Sequence, residues 1–164
     1  MDPPKTTTAV QHLQLDQQAT LGSLADDEVL VELHAASLSY RDIVIAKGAL
    51  GELPKVVIPG SDGAGVVKAV GSKVQDLAIG ERVVTHLAPT EDDDALPPSM
   101  AEISTGLGHG QNGTLREYGI FKPTALVKAP HNLDFARAAT LTCSGLTAWN
   151  ALFGLAGREV KKGD

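Results

Sequence analysis

Ile58-Pro59-Gly60-Ser61-Asp62-Gly63-Ala64-Gly65-Val66-Val67-Lys68-Ala69-Val70-Gly71 is the stretch on which the fold turns. Its glycines raise the question of whether it cradles a phosphate, holds a metal or makes a tight turn. A dinucleotide-binding fingerprint needs Gly-x-Gly-x-x-Gly where a strand enters a helix, so that helix N–H groups face the pyrophosphate. Here Gly63-Ala64-Gly65 runs into Val66-Val67-Lys68, so the third glycine is missing and the next element is a strand. The stretch reads as a turn opening into a strand. Gly106-Leu107-Gly108-His109-Gly110 fails in a related way, because it leads through Gln111-Asn112-Gly113 into another strand candidate; it reads as a mobile loop.

On either side, alternation with a period of two predicts further strands. Val29, Val31 and Leu33 share one face of residues 28–35, and residues 65–70, 81–87, 114–121 and 125–129 complete a set of five. Residues 39–48 differ: Ser39 followed by Asp42 resembles a capping box, and Gly48 stops a short helix. From residue 135 to 154 the composition turns helical, with Asp134 as cap, Gly154 or Gly157 as end, and Trp149 as a core residue. The fold class is therefore mainly β with helices. No internal repeat is visible.

Composition limits the function. The chain has 164 residues, 43% of them hydrophobic and 21% charged, enough for one packed domain or one domain and part of another. A net charge of −6 argues against nucleic acid or an anionic membrane as partner. The acidic run Glu91-Asp92-Asp93-Asp94, followed by Pro97-Pro98, reads as an exposed loop. No segment approaches the ~18 apolar residues of a membrane span, and Met1 to Thr8 carry no signal-like apolar stretch, so a cytoplasmic protein is expected. One cysteine, Cys143, excludes an internal disulfide. The histidines His12, His34, His86, His109 and His131 lie in separate segments without metal-ligand spacing, and only His109 sits in a loop suited to reaching a cleft.

Taken in order, Ser-Tyr-Arg-Asp, Ile-Pro-Gly-Ser-Asp-Gly-Ala-Gly, Val-Gly-Ser-Lys-Val, Gly-Glu-Arg-Val-Val, Gly-Thr-Leu-Arg-Glu-Tyr and Ala-Ala-Thr-Leu-Thr-Cys-Ser-Gly-Leu-Thr-Ala-Trp form a recognisable series. The series resembles the N-terminal half of the medium-chain dehydrogenase/reductase superfamily, in its quinone-oxidoreductase-like and zinc-type alcohol-dehydrogenase-like branch. The resemblance implies a GroES-like partial β-barrel over residues 1–133 that shapes a substrate cleft. Residues 134–164 would then be a linking helix and the start of a truncated cofactor-binding domain, with the Rossmann part beyond Asp164.

In zinc-dependent members a Cys, a His and a later Cys hold the catalytic metal; here those places carry Ser39, Ser61 and Cys143. Serine hydroxyls are poor zinc ligands, so no zinc is expected. By resemblance, Tyr40, Arg41, Ser61 and Asp62 border the active cleft, Tyr40 being the first choice of hydrogen-bond donor, and Thr147 lies near the nicotinamide. Each has a plainer reading: packing for Tyr40, an ion pair for Arg41, an Asx-type turn bond for Asp62, an inert hydrophobe for Cys143.

Two functions follow. The chain is the cleft domain of a zinc-independent NADPH- or NADH-dependent oxidoreductase acting on a quinone, enone or carbonyl, redox-inactive alone and with no cofactor bound. Alternatively it is a naturally shortened member that binds a small molecule or catalyses an isomerisation, dehydration or cyclisation, with Tyr40, Asp62, His109 and Glu117 as acid or base candidates. An apolar face left on the final helix makes a homodimer or protein-contact surface a third reading.

Overall fold

The computed structural model describes residues 13–50, 57–87, 103, 105–157, 159–161 and 163. His12, the acidic run 91–94, Lys162 and Asp164 lie outside them. Five strands form one sheet: β1 (Val29–Ser37), β2 (Asp62–Val70), β3 (Arg82–Thr85), β4 (Tyr118–Phe121) and β5 (Leu126–Lys128). Their order is β4-β1-β2-β3-β5 and every pairing is antiparallel. Irregular register between Leu30 and Val31 and between Leu33 and Ala35 marks bulges in β1, the device by which a sheet curls toward a barrel. This is the GroES-like partial barrel that the resemblance implies.

The alternation of β1 works as its sequence requires: Val29 and Val31 are fully buried. With Val67, Val83, Leu107, Phe121 and Leu126 they form the main core. Each such side chain contributes roughly 1.5 to 3 kcal/mol through burial. Leu107 corrects the expectation of a mobile loop at 106–110. It is buried in that core, its N–H donates to Leu87 O at 3.0 Å, and Leu107 and Gln111 form a bridge. An apolar anchor between glycines is enough to pin such a loop.

The glycine stretch is also more ordered than a turn. β2 starts at Asp62, so Gly63 and Gly65 belong to the strand. At Gly65 a Cβ would lie 2.1 Å from the Glu32 carbonyl oxygen, so only glycine allows β1 this close. Gly60, with φ of 89°, makes the preceding bend.

Two helical expectations fare differently. Helix α1 (Tyr40–Ala46) forms as read: Ser39 N–H donates to Asp42 Oδ2 at 2.7 Å and ties down the N-terminus. The continuous helix read over 135–154 is broken. A single turn, α2 (Phe135–Ala138), is capped by Asp134, whose carboxylate accepts from Arg137 N–H at 2.8 Å. A π-turn (Leu141–Gly145) then separates it from α3 (Leu146–Phe153). Thr140 Oγ1 donates to Arg137 O at 2.8 Å, the back-bonding by which threonine weakens a helix, and Gly145 weakens the next turn. Residues 114–117 bend instead of continuing the strand, Thr114 and Leu115 bonding the turn at Pro59 and Gly60, so β4 is shorter than expected. Trp149, read as core, is 64% exposed, because α3 packs mainly on the π-turn.

Candidate functional site

The turn at the start of β2 is the best-fastened polar point of the fold. Thr85 Oγ1 on β3 accepts from Gly63 N–H at 2.8 Å and donates to Ser61 O at 2.9 Å. Thr114 Oγ1 donates to Asp62 O at 3.2 Å, and the segment from Ile58 to Gly60 pairs through its carbonyls with N–H groups of Gly113, Thr114 and Leu115. Ser61 and Asp62 are thereby held almost entirely inside the protein.

Asp62 is 1% exposed, and both its carboxyl oxygens meet hydroxyls: Ser61 Oγ donates to Oδ2 at 3.4 Å and Thr142 Oγ1 donates to Oδ1 at 3.2 Å. These are side-chain partners, which differs from the Asx-type backbone bond read from the sequence. Burial pushes the carboxyl above its ordinary value of 3.8, and the nearby Asp42 adds to the rise. The bonds from Thr142 and Ser61 and the charge of Arg41 oppose it.

Arg41 lies beside this carboxyl. Its Nη2 donates to Ile103 O at 2.7 Å, and its Nε is buried without a hydrogen-bond partner, as is Oδ1 of Asp42. Burial lowers the guanidinium below its usual range against the pull of Asp42, Asp62 and Cys143. The Cys143 thiol is raised above its ordinary value of 9.0 by burial and by the negative charges of Asp62 and Asp42, so it is a neutral thiol near pH 7 and a poor nucleophile. Ser39, Arg41, Asp42, Ser61, Asp62, Thr142 and Cys143 thus form one polar cluster where α1, β2 and the π-turn meet.

The remaining sequence-derived candidates stand around it. Tyr40 opens α1 and is 80% exposed, free of the packing role that competed with a donor role. Thr147 is exposed on α3, and its hydroxyl donates to Cys143 O at 2.7 Å. His109 is 7% exposed with both ring nitrogens unpartnered, so it is buried in its loop instead of reaching out of it. Thr142 is the member that sequence reading missed, along with the fastening residues Thr85 and Thr114. Its only signal was a hydroxyl residue, two positions after another, in a segment otherwise read as apolar helix. Among the described residues, no three His, Cys, Asp or Glu side chains gather as a metal site.

A family profile described as the alcohol dehydrogenase GroES-like domain matches residues 25–131. The chain belongs to this family. A zinc-type alcohol dehydrogenase-like protein of Schizosaccharomyces pombe is 44% identical to this chain over 140 residues, covering 84% of the chain and 39% of the relative. The chloroplastic NADPH-dependent alkenal/one oxidoreductase of Arabidopsis thaliana is 33% identical over 141 residues, covering 85% and 33%. Among solved structures, the cobalt- and zinc-bound thermostable alcohol dehydrogenase from Pyrobaculum aerophilum matches with a TM-score of 0.75 at 26% identity, covering 88% of this chain and 45% of that one. The chain thus spans less than half the length of these relatives, which carry oxidoreductase names. These matches bear out the resemblance to the N-terminal half of medium-chain dehydrogenases. Among the described residues, no helix is long and apolar enough to cross a membrane.

Proposed function

We propose that this chain forms the substrate cleft of a zinc-independent oxidoreductase that reduces a small quinone, enone or carbonyl compound at the expense of NADPH or NADH. One observation supports the zinc-independent form. At the three places where zinc-dependent relatives carry metal ligands, Ser39 Oγ donates to Asp42 Oδ2 at 3.2 Å, Ser61 Oγ donates to the buried Asp62, and Cys143 is the single sulfur ligand. Two hydroxyls committed to carboxylates leave one sulfur where Zn²⁺ takes a full set of thiolate and imidazole ligands, so the three places together do not fit the metal.

A bound nicotinamide supplies hydride, which no side chain can deliver. Thr147, exposed beside Cys143, keeps acceptor lone pairs for a carboxamide N–H while its own proton serves the helix. The exposed Tyr40 phenol has a free hydrogen-bond role to offer a substrate oxygen and can steady the charge that grows there. In this reading Ser61 and Asp62, fastened by Thr85 and Thr114, are the rigid floor of the cleft. Residues 1–133 shape this cleft, and residues 134–164 lead toward the part that holds the nucleotide.

The test uses the whole gene product. It should oxidise NADPH or NADH when given an enone or quinone, and dialysis against a strong zinc chelator should leave the rate unchanged. Loss of rate on chelation with recovery on added zinc would overturn the proposal.

A further inference from the structure

The π-turn brings Thr142 from 80 residues away in sequence onto Asp62, and that contact has a chemical consequence. Asp62 sits at the buried end of the contact, and Thr142 is only partly buried. A carboxyl whose oxygens meet two hydroxyls is in an adaptable environment: hydroxyls donate to the ionised form and accept from the protonated one, so neither form is left unpaired. A carboxylate held by backbone N–H groups or a bidentate arginine has no such freedom. The titratable neighbours are Arg41 and Asp42 from α1 and the Cys143 thiol from the π-turn, and Arg41 directs its hydrogen bond to Ile103 O.

We propose that the Asp62 carboxyl is the proton reservoir of the reductive reaction and that the Thr142 hydroxyl passes its proton to the substrate atom that becomes negative. The inference rests on the reductase reading above and names the acid it leaves open. When hydride from a reduced nicotinamide forms a C–H bond at the electrophilic carbon, the electron pair of the substrate π bond moves to its oxygen or α-carbon. The Thr142 O–H bond then breaks toward that atom as Asp62 gives its proton to Thr142 Oγ1. Asp62 is left as a carboxylate and recovers its proton from solvent on product release, so one hydride and one proton are consumed per turnover. The raised affinity of the buried carboxyl for its proton suits this storage.

Two measurements test it. In the 164-residue chain, the Asp62 carboxyl carbon followed by NMR should titrate above the ordinary 3.8, and higher still in Thr142→Val, which removes a donor to the charged form. In the whole gene product, Thr142→Val should lower kcat about 100-fold, within the usual contribution of a positioned acid, while Thr142→Ser retains most of it. A carboxyl already ionised at the pH of turnover overturns the reservoir, and unchanged kcat in Thr142→Val overturns the relay while the reductase reading stands. Absence of any reductase activity in the wild-type product sinks that reading and the relay together.

Discussion

Phe121 closes β4 and Trp149 lies in α3, both aromatic and both among apolar neighbours in sequence, yet Phe121 is 4% exposed and Trp149 is 64% exposed. The difference is one of partners. Phe121 stands in a sheet whose strands bury a shared face, with Val29 opposite it in register. Trp149 leans on Phe153 of its own helix, with ring centroids 4.7 Å apart. The sheet is a closed packing problem, whereas residues 138–157 are attached to it through few points, chiefly the small residues Ala138 and Ala139 and the bond from Thr142 to Asp62. Stability resides in the first region, and the polar cluster gathers where the second touches it.

The largest effect should come from filling the closest approach within the sheet. In Gly65→Ala the added methyl meets the backbone of Glu32, which cannot move aside without parting β1 from β2. A loss above about 4 kcal/mol is expected, at the exceptional end for one substitution, and denaturant unfolding measures it. A loss below about 1 kcal/mol would mean that the strands can separate freely, removing the contrast between a rigid sheet and a loosely held segment.

Next is the fastening of the turn. Thr85→Val preserves shape but orphans Gly63 N–H and Ser61 O, both served by the same hydroxyl. About 1 to 3 kcal/mol should be lost per group left unpaired, visible as a lower midpoint in urea. If the turn is what holds the site, the chemical shifts of Ser61 and Asp62 move in this variant while those of α3 do not.

Asp62 gives a third, pH-dependent test. The unfolded chain releases its proton near the ordinary value of 3.8, and the folded chain holds the proton to higher pH because the carboxyl is buried. Between those two values the folded state binds more protons, so stability falls as pH rises through that window. Asp62→Asn should flatten this fall. The half-buried carboxylates Glu32 and Glu81 act oppositely, since Lys68 and Lys128 lower them, and their contribution is lost as pH drops below 4.5. The difference between variant and wild type across pH therefore isolates Asp62; an unchanged slope counts against a buried, proton-holding carboxyl.

The sheet was legible because its signal is local. Alternation in 28–35 placed Val29 and Val31 inside, and Gly63-Ala64-Gly65 leading into valines excluded a nucleotide loop. Ser39 and Asp42, three residues apart, announced α1 for the same reason. What failed was decided by distant partners. Leu107 belongs to the core because Leu87 and the Gly60 bend receive its loop, and the helix after Asp134 breaks where Thr142 turns to Asp62. The site was half legible: Ser61, Asp62 and Arg41 stand together, but the hydroxyl completing them comes from a segment whose composition reads as helix.

The smallest expected effect sharpens the comparison most. Truncating Phe121 to alanine should cost about 3 to 5 kcal/mol, the usual loss for a buried aromatic. Trp149→Ala in the same chain should change stability by no more than about 0.5 kcal/mol, as for a surface position, since most of the indole already lies in water. Its contact with Phe153 is within one helix and persists weakly in any helical state, so it adds little to the cost of unfolding the sheet. Equal losses for the two aromatics would show that the segment after the sheet shares its core. A near-zero effect at Trp149 leaves the attachment between the two regions to Ala138, Ala139 and the bond between Thr142 and Asp62.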